Sequence, residues 1–232
     1  MTRPLQDLIA SGLQSLINLT GSVGLAVILL TVIVRVLFHP LSRYGLKAIK
    51  RMQALAPQME VLRRKFKDDP QRANLEIMNL YRSSGVNPLS GCLPSLVQIP
   101  VMYALWRVLY QGGRFQGQTF LGIPLDATLW PLSLIAQNPI LVLFPVLIAV
   151  TTYLQQRMSI TDPQQAKIFL FMPILFAYFS FQFPVGLSVY WIASTVVGIL
   201  EYYLVLGRLR PPSPPPPRPT AGRKQRAKAR PA

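Results

Sequence analysis

Five apolar runs, at about 21–39, 93–110, 139–156, 168–183 and 185–206, are long and uncharged enough to be read as membrane-crossing helices. The fourth is the shortest. About 16 residues make ~24 Å of helix, against a hydrocarbon core of ~30 Å, so the bilayer thins beside it or the helix outruns its apolar stretch. Ahead of the first run, Leu5, Leu8, Ile9, Leu13, Leu16 and Ile17 recur at three- and four-residue steps. This predicts an amphipathic helix over 1–20 lying on the outer face of the membrane. Residues 40–88 carry two more helical stripes: Leu46, Ile49, Met52, Leu55, Met59, Leu62 and Phe66, then Leu75, Met78 and Tyr81. Asp68-Asp69-Pro70 between them supplies a turn, with Asp69 as N-cap and Pro70 at the first helical position. The result is a helical hairpin whose first helix Pro57 should kink or interrupt.

Charge orients these elements. The chain of 232 residues has a formal net charge of +16, and its basic residues are bunched between runs that have almost none. From His39 to Pro88 there are ten Lys/Arg and four Asp/Glu, and from Gly207 onward eight Lys/Arg and no acid. The connection 111–138 has only Arg114 and Asp126, the turn 180–186 has none, and the third connection carries Arg157, Asp162 and Lys167. Basic and neutral loops alternate as five crossings require, which puts the N-terminus outside and the hairpin and C-terminus in the cytoplasm. Arg63, Arg64, Lys65 and Lys67 cluster at the hairpin tip, where they suit anionic headgroups, ribosomal RNA or an acidic polypeptide, or form a plain solvated face. In the tail 207–232, a proline spacer at 211–217 precedes an unstructured cationic segment bearing Arg223, Lys224, Arg226, Lys228 and Arg230.

Candidate chemistry narrows the class. The single cysteine, Cys92, allows no intramolecular disulfide and no multi-cysteine metal site. Leu89-Ser90-Gly91-Cys92 looks like a lipoprotein box but follows no signal peptide, and no cleavable signal is expected at the N-terminus. The runs contain no H-E-x-x-H, no acidic pair and no Ser/His dyad, so an intramembrane protease is not expected, nor any metal or cofactor. The informative residue is Arg35, inside GSVGLAVILLTVIVRVLFHP. A guanidinium costs at least ~2.5 kcal/mol at the centre of a spanning helix. From its place, roughly 7 Å inside the edge at Pro40, two readings stay open: it snorkels to the headgroups, or it faces a polar cavity.

The residues His39-Pro40-Leu41-Ser42, Met52-Gln53, Leu55-Ala56-Pro57, Asp68-Asp69 and Leu80-Tyr81 come in a recognisable order. So do Val86-Asn87-Pro88-Leu89-Ser90-Gly91-Cys92-Leu93-Pro94, Leu96-Val97-Gln98-Ile99-Pro100-Val101, Met172-Pro173 and Phe183-Pro184-Val185-Gly186-Leu187-Ser188-Val189-Tyr190-Trp191. In that order the chain, over about 20–206, resembles the YidC/Oxa family of membrane insertases. The resemblance implies an all-α membrane protein: five transmembrane helices bundled around a hydrophilic groove open to the cytoplasm and to lipid, plus a cytoplasmic helical hairpin. It places a positive charge on the first core helix, where Arg35 stands, which favours the cavity reading. The implied activity is capture of hydrophobic nascent chains and their lateral insertion into the bilayer. The setting would be a bacterial plasma membrane, with ribosome contact through the basic tail and the Sec translocon and lipids as further partners.

Physically, a buried cation lowers the cost of drawing an acidic, hydrated segment partway across. The large extracytoplasmic domain and leading span of some relatives are not in this sequence, so a minimal insertase is expected. A second departure is Glu201, where many relatives have an uncharged polar residue. It lies ~10 Å above the cytoplasmic edge, at a depth near that of Arg35, so a pair between the two is one arrangement and an interfacial Glu201 the other. Gln98, Gln155 and Trp191 join them as groove candidates, with Thr151, Thr152, Gln156, Ser188 and Ser194 as further polar positions. Interhelical hydrogen bonding, or for Trp191 core filling, is the alternative role. Pro94, Pro100, Pro145 and Pro173 are expected to shape kinks. The rival function is a small-anion or solute transporter binding at Arg35. Five unequal spans with no internal similarity speak against it, as transporters usually show repeated halves, and no small-molecule substrate is expected.

Overall fold

The computed structural model describes residues 3–111, 117–129, 138–160 and 169–207. In chain order the elements are α1 (Arg3–Thr20), α2 (Val23–Leu37), α3 (His39–Lys65), α4 (Pro70–Ser83), α5 (Leu93–Trp106), β1 (Thr119–Phe120), β2 (Ile123–Pro124), α6 (Leu143–Ser159), α7 (Met172–Ser180) and α8 (Val185–Leu206). A π turn, Arg107–Gln111, extends α5, and a 3-10 turn, Pro139–Val142, leads into α6. The basic tail residues Arg223, Lys224, Arg226, Lys228 and Arg230, and the start of the expected fourth run at 168, lie outside the described residues.

The leading helix forms as its periodicity predicts, and part of its apolar stripe is covered by protein. Ile9 and the fully buried Leu13 pack with Val23, Ala26 and Val27 of α2, Val101, Ala104 and Leu105 of α5, and Val185 and Tyr190 of α8. Through Ile9 and Leu13, α1 joins the bundle core, while Leu8 and Leu19 stay exposed. A stripe says that one face is apolar, not what covers it. Gly21, at φ +66°, stops α1 in the left-handed conformation that glycine tolerates, and its N–H returns to Ile17 O at 2.8 Å.

Pro40 does more than end a helix. α2 stops at Leu37, Phe38 takes a non-helical φ of −90° and ψ of 6°, and α3 restarts at His39 with Pro40 in its first turn, where the missing N–H is not needed. The two helices meet at 66°. α3 then runs without interruption to Lys65, through Pro57, so the proline does not divide it as expected. Asp69 caps α4 as predicted, its carboxylate accepting the Arg72 N–H at 3.0 Å, with Pro70 first in the helix. Ile49, Met52 and Leu55 of α3 form the small hairpin core with Val86, and Tyr81 packs on it, its hydroxyl reaching the sulfur of the buried Met59 at 3.1 Å. The phase of α4 differs from the expected stripe. Ala73 and Ile77 are its buried residues, while Leu75 and Met78, 65% and 46% exposed, face away.

Among the described residues, the helices both long and apolar enough to cross a membrane are α8, with 22 residues, and Pro139–Ser159, with 21; α2 and α3 pass the same test only as a bent pair. α5 and α7 stand where the second and fourth crossings are expected; α5 has 14 residues and its π turn 5 more, whereas α7 has 9. At ~1.5 Å per residue these give ~28 and ~13.5 Å. The fourth segment is thus shorter than its apolar run, because Phe181 and Gln182 are already in a turn. Between α5 and α6, β1 and β2 make a tight hairpin whose turn residues, Leu121 and Gly122, have φ of 54° and 78°, as a two-residue hairpin turn requires. Phe120 of this hairpin seats on Gly24 of α2, where a Cβ would fall 2.1 Å from two ring carbons.

Candidate functional site

Ser194, Gly198 and Glu201 follow one another at i, i+4 and i+7 on α8, hence on one face of that helix. Arg35, in the last turn of α2, lies against this face. Its Nε and Nη2 donate to Ser194 Oγ at 3.0 and 2.7 Å. Gln98 of α5 donates through Nε2 to the same oxygen at 2.9 Å and to the Tyr190 hydroxyl at 2.7 Å. A Cβ on Gly198 would sit 2.6 Å from Gln155 Nε2 and 3.4 Å from Arg35 Nη1. The bare backbone of Gly198 therefore gives both side chains their room. A small cavity of about 20 Å³ adjoins the guanidinium, lined by Val34, Phe38, Leu41, Ser42, Gln98 and Val101. That is space for roughly one water.

The cluster is rich in donors and poor in acceptors. Three N–H groups converge on Ser194 Oγ, and a hydroxyl oxygen has only two lone pairs. No carboxylate among the described residues pairs with Arg35. Glu201, only 7% exposed, is bonded instead to His39, Nδ1 to Oε1 at 2.5 Å. The Arg35–Glu201 pair that depth alone allows is not formed, since the bend at Phe38 carries the His39 ring to Glu201. Snorkelling also gives way: the guanidinium points into the bundle, at Ser194.

Of the expected groove residues, Arg35, Gln98 and Gln155 come together, Glu201 is within electrostatic reach of Arg35 but bonded to His39, and Trp191 stands apart. Trp191 bridges helices, its Nε1 donating to Thr152 Oγ1 of α6 at 3.3 Å and its ring lying 4.7 Å from that of Phe176 on α7. Thr195 and Thr151 link α8 to α6 at 3.1 Å, the interhelical role that is the alternative for such residues. Ser188 Oγ is buried without a hydrogen-bond partner. Tyr190, Gly198 and His39 are site residues that the sequence does not single out. The i, i+4, i+7 step from Ser194 marks Gly198, whereas nothing local links His39 to Glu201. At the hairpin tip Arg64 pairs with Glu60 at 2.5 Å, and Lys65 lies 5.2 Å from the Phe66 ring. Arg63, Arg64 and Lys65 occupy the last turn of α3, where positive charge suits the helix dipole, and Lys67 follows in the exposed turn.

Comparison with known proteins places this arrangement. The sequence model described as 60Kd inner membrane protein matches residues 15–210. Curated relatives named membrane protein insertase YidC include that of Oleidesulfovibrio alaskensis, 38% identical over 201 residues, covering 85% of this chain and 37% of that protein. That of Geobacter sulfurreducens is 39% identical over 190 residues, 81% of this chain and 34% of the relative. The chain thus spans about a third of the length of the curated relatives it matches. Among solved structures, an active YidC insertase crystal structure with the first transmembrane domain resolved aligns at a TM-score of 0.69 and 30% identity, over 86% of this chain and 46% of that one. With matched residues running from α1 through α8, the chain belongs to the 60Kd inner membrane protein family, the family of the YidC insertases.

Proposed function

We propose that this chain is a membrane protein insertase that draws the acidic or polar flank of a hydrophobic nascent chain toward Arg35 and releases its apolar segment sideways into lipid. The observation carrying this reading is a cation inside the bundle, hydrogen-bonded to neutral partners and making no ion pair among the described residues. Such a site attracts a client carboxylate, and the donors of Gln98 and Gln155 beside it add hydrogen bonds. The release step is driven by burial of ~20 apolar client residues. Neutralising Arg35 internally would have given a stable bundle with little pull on an acidic segment.

In this reading the chain crosses the membrane five times, with α7 as a short crossing beside a thinned bilayer. The N-terminus is outside, and the hairpin and tail are in the cytoplasm of a bacterial cell. The hairpin tip (Arg63, Arg64, Lys65, Lys67) and the tail (Arg223, Lys224, Arg226, Lys228, Arg230) contact the ribosome and anionic lipid, and the Sec translocon is a further partner. The protein works without a cofactor and is not an enzyme. A donor cluster around Arg35 also suits a small anion, so the transporter reading is kept as the alternative. Liposomes holding the purified full chain separate the two. Insertion of an acidic-tailed single-span client, lost in Arg35→Ala, is the expected result; anion flux without client insertion would replace the insertase reading with transport.

A further inference from the structure

The chain carries its own competitor for Arg35. Glu201 lies one turn beyond Gly198 on the same face of α8, about 4.5 Å further along the axis, and the Arg35 guanidinium already lies against Gly198. A glutamate side chain is long enough to cover that distance by a change of rotamer. Yet Glu201 is turned to His39, its only hydrogen-bond partner among the described residues, and acts on Arg35 only through space. In the tautomer with hydrogen on Nδ1, His39 donates to the Glu201 carboxylate, which only accepts. The contact depends on the bend: His39 is four residues after Arg35, and on a straight helix it would stand one turn below it on the same face. The break at Phe38 turns α3 away by 66° and brings the ring to α8.

We propose that His39 is a positioning residue for the Arg35 site: by holding Glu201 it keeps an internal carboxylate off Arg35 and reserves that cation for carboxylates of the client. Glu201 then acts as a decoy that is bound elsewhere while His39 is present, and the pair sets the preference for acidic over neutral client segments. The inference rests on the insertase reading of Arg35 and names the residues that tune it. A mere staple between α3 and α8 would predict equal damage from losing either partner. Sequestration predicts asymmetry: losing His39 hurts, and losing Glu201 as well repairs it.

The test uses the full chain in liposomes with two single-span clients that differ only in having aspartates or serines in the translocated tail. His39→Ala should lower the acidic-to-neutral insertion ratio about tenfold, the scale of one charged hydrogen bond, toward that of Arg35→Ala. His39→Phe, which keeps the ring volume but has no donor, should do the same. His39→Arg, which can still hold Glu201, should stay near wild type, and His39→Ala with Glu201→Gln should return to within about twofold of it. An unchanged ratio in His39→Ala, or a loss that Glu201→Gln does not repair, overturns the proposal. If Arg35→Ala leaves the ratio unchanged, the reading of Arg35 itself fails. A separate measurement needs no client: double-mutant cycles of Arg35→Gln and Glu201→Gln on thermal unfolding in detergent. Coupling should be weak with His39 in place and several-fold larger in the His39→Ala background, and equal coupling in both overturns sequestration.

Discussion

Leu13→Ala, set against Leu8→Ala, tests whether α1 is built into the bundle. Both leucines belong to the apolar stripe that the sequence assigns to one membrane-facing surface. In the fold, however, Leu13 is fully buried and Leu8 is 68% exposed. Truncating Leu13 removes three carbons from a core formed by α1, α2, α5 and α8. At ~0.8 kcal/mol per methylene, release to water alone gives ~2.4 kcal/mol. In detergent that transfer cost shrinks, and the unfilled cavity with its missing dispersion attraction makes up the loss, so about 2–3 kcal/mol is expected, at the lower end of core Leu→Ala changes. For a chain of this size that lowers the melting temperature by about 5–10 °C. Leu8→Ala should cost under ~0.5 kcal/mol. The assay is thermal unfolding of the purified chain in mild detergent, followed by helical circular dichroism. Equal shifts for the two variants would refute the packing of α1 against the bundle.

Ser194→Ala strips the shared acceptor from Arg35 and Gln98, and should lower stability by about 1.5–3 kcal/mol in the same melt; no change would mean that the guanidinium is held elsewhere. Arg35→Lys should keep most insertion of an acidic-tailed client in liposomes, since a point charge remains, while Arg35→Ala should lose it. Gly24→Val should unseat Phe120 and expose the Thr119–Pro124 hairpin to protease, because no branched side chain fits where a Cβ already falls 2.1 Å from the ring; Phe120→Ala should restore tolerance of the valine. Deleting residues 220–232 should weaken ribosome co-sedimentation and flatten its salt dependence, in proportion to the number of RNA phosphates that the tail neutralises; an unchanged slope would leave the tail as a topology signal.

Much of this fold is legible in the chain because local chemistry decides it. Asp69-Pro70 announces a helix start with its own cap, and Ser194 and Gly198 are one helical turn apart whatever surrounds them. Three features are not legible, each for a physical reason. The stripe on α1 records hydrophobicity and not its cover, so lipid and protein look alike. On α4, Leu75 and Met78 lie on the side opposite Ala73, and with apolar residues on both sides periodicity alone does not choose the inward one. The Glu201 partner depends on the direction the chain takes after Phe38, and a residue preceding proline signals a break without giving its angle. The donor cluster at Arg35 is half visible. Its polar members stand out against apolar runs, but Tyr190 looks like ordinary bundle filling.

The contacts of α3 with the ends of two other helices have a mechanical consequence. Lys50 Nζ donates to Leu206 O at 3.2 Å, and Gln53 Nε2 to Met158 O at 2.9 Å, so one helix occupies carbonyls that terminate α8 and α6. Helix-end carbonyls have no partner within their own helix. Both anchors sit in the middle of a rod of 27 residues, about 40 Å long. The rod is bent away from α2 at one end and carries the basic tip at the other. A push on the tip therefore cannot swing the hairpin alone. It must either uncap α6 and α8 together or drag their ends with it, so a partner seated on the hairpin holds a handle on the spacing of the helices around Arg35.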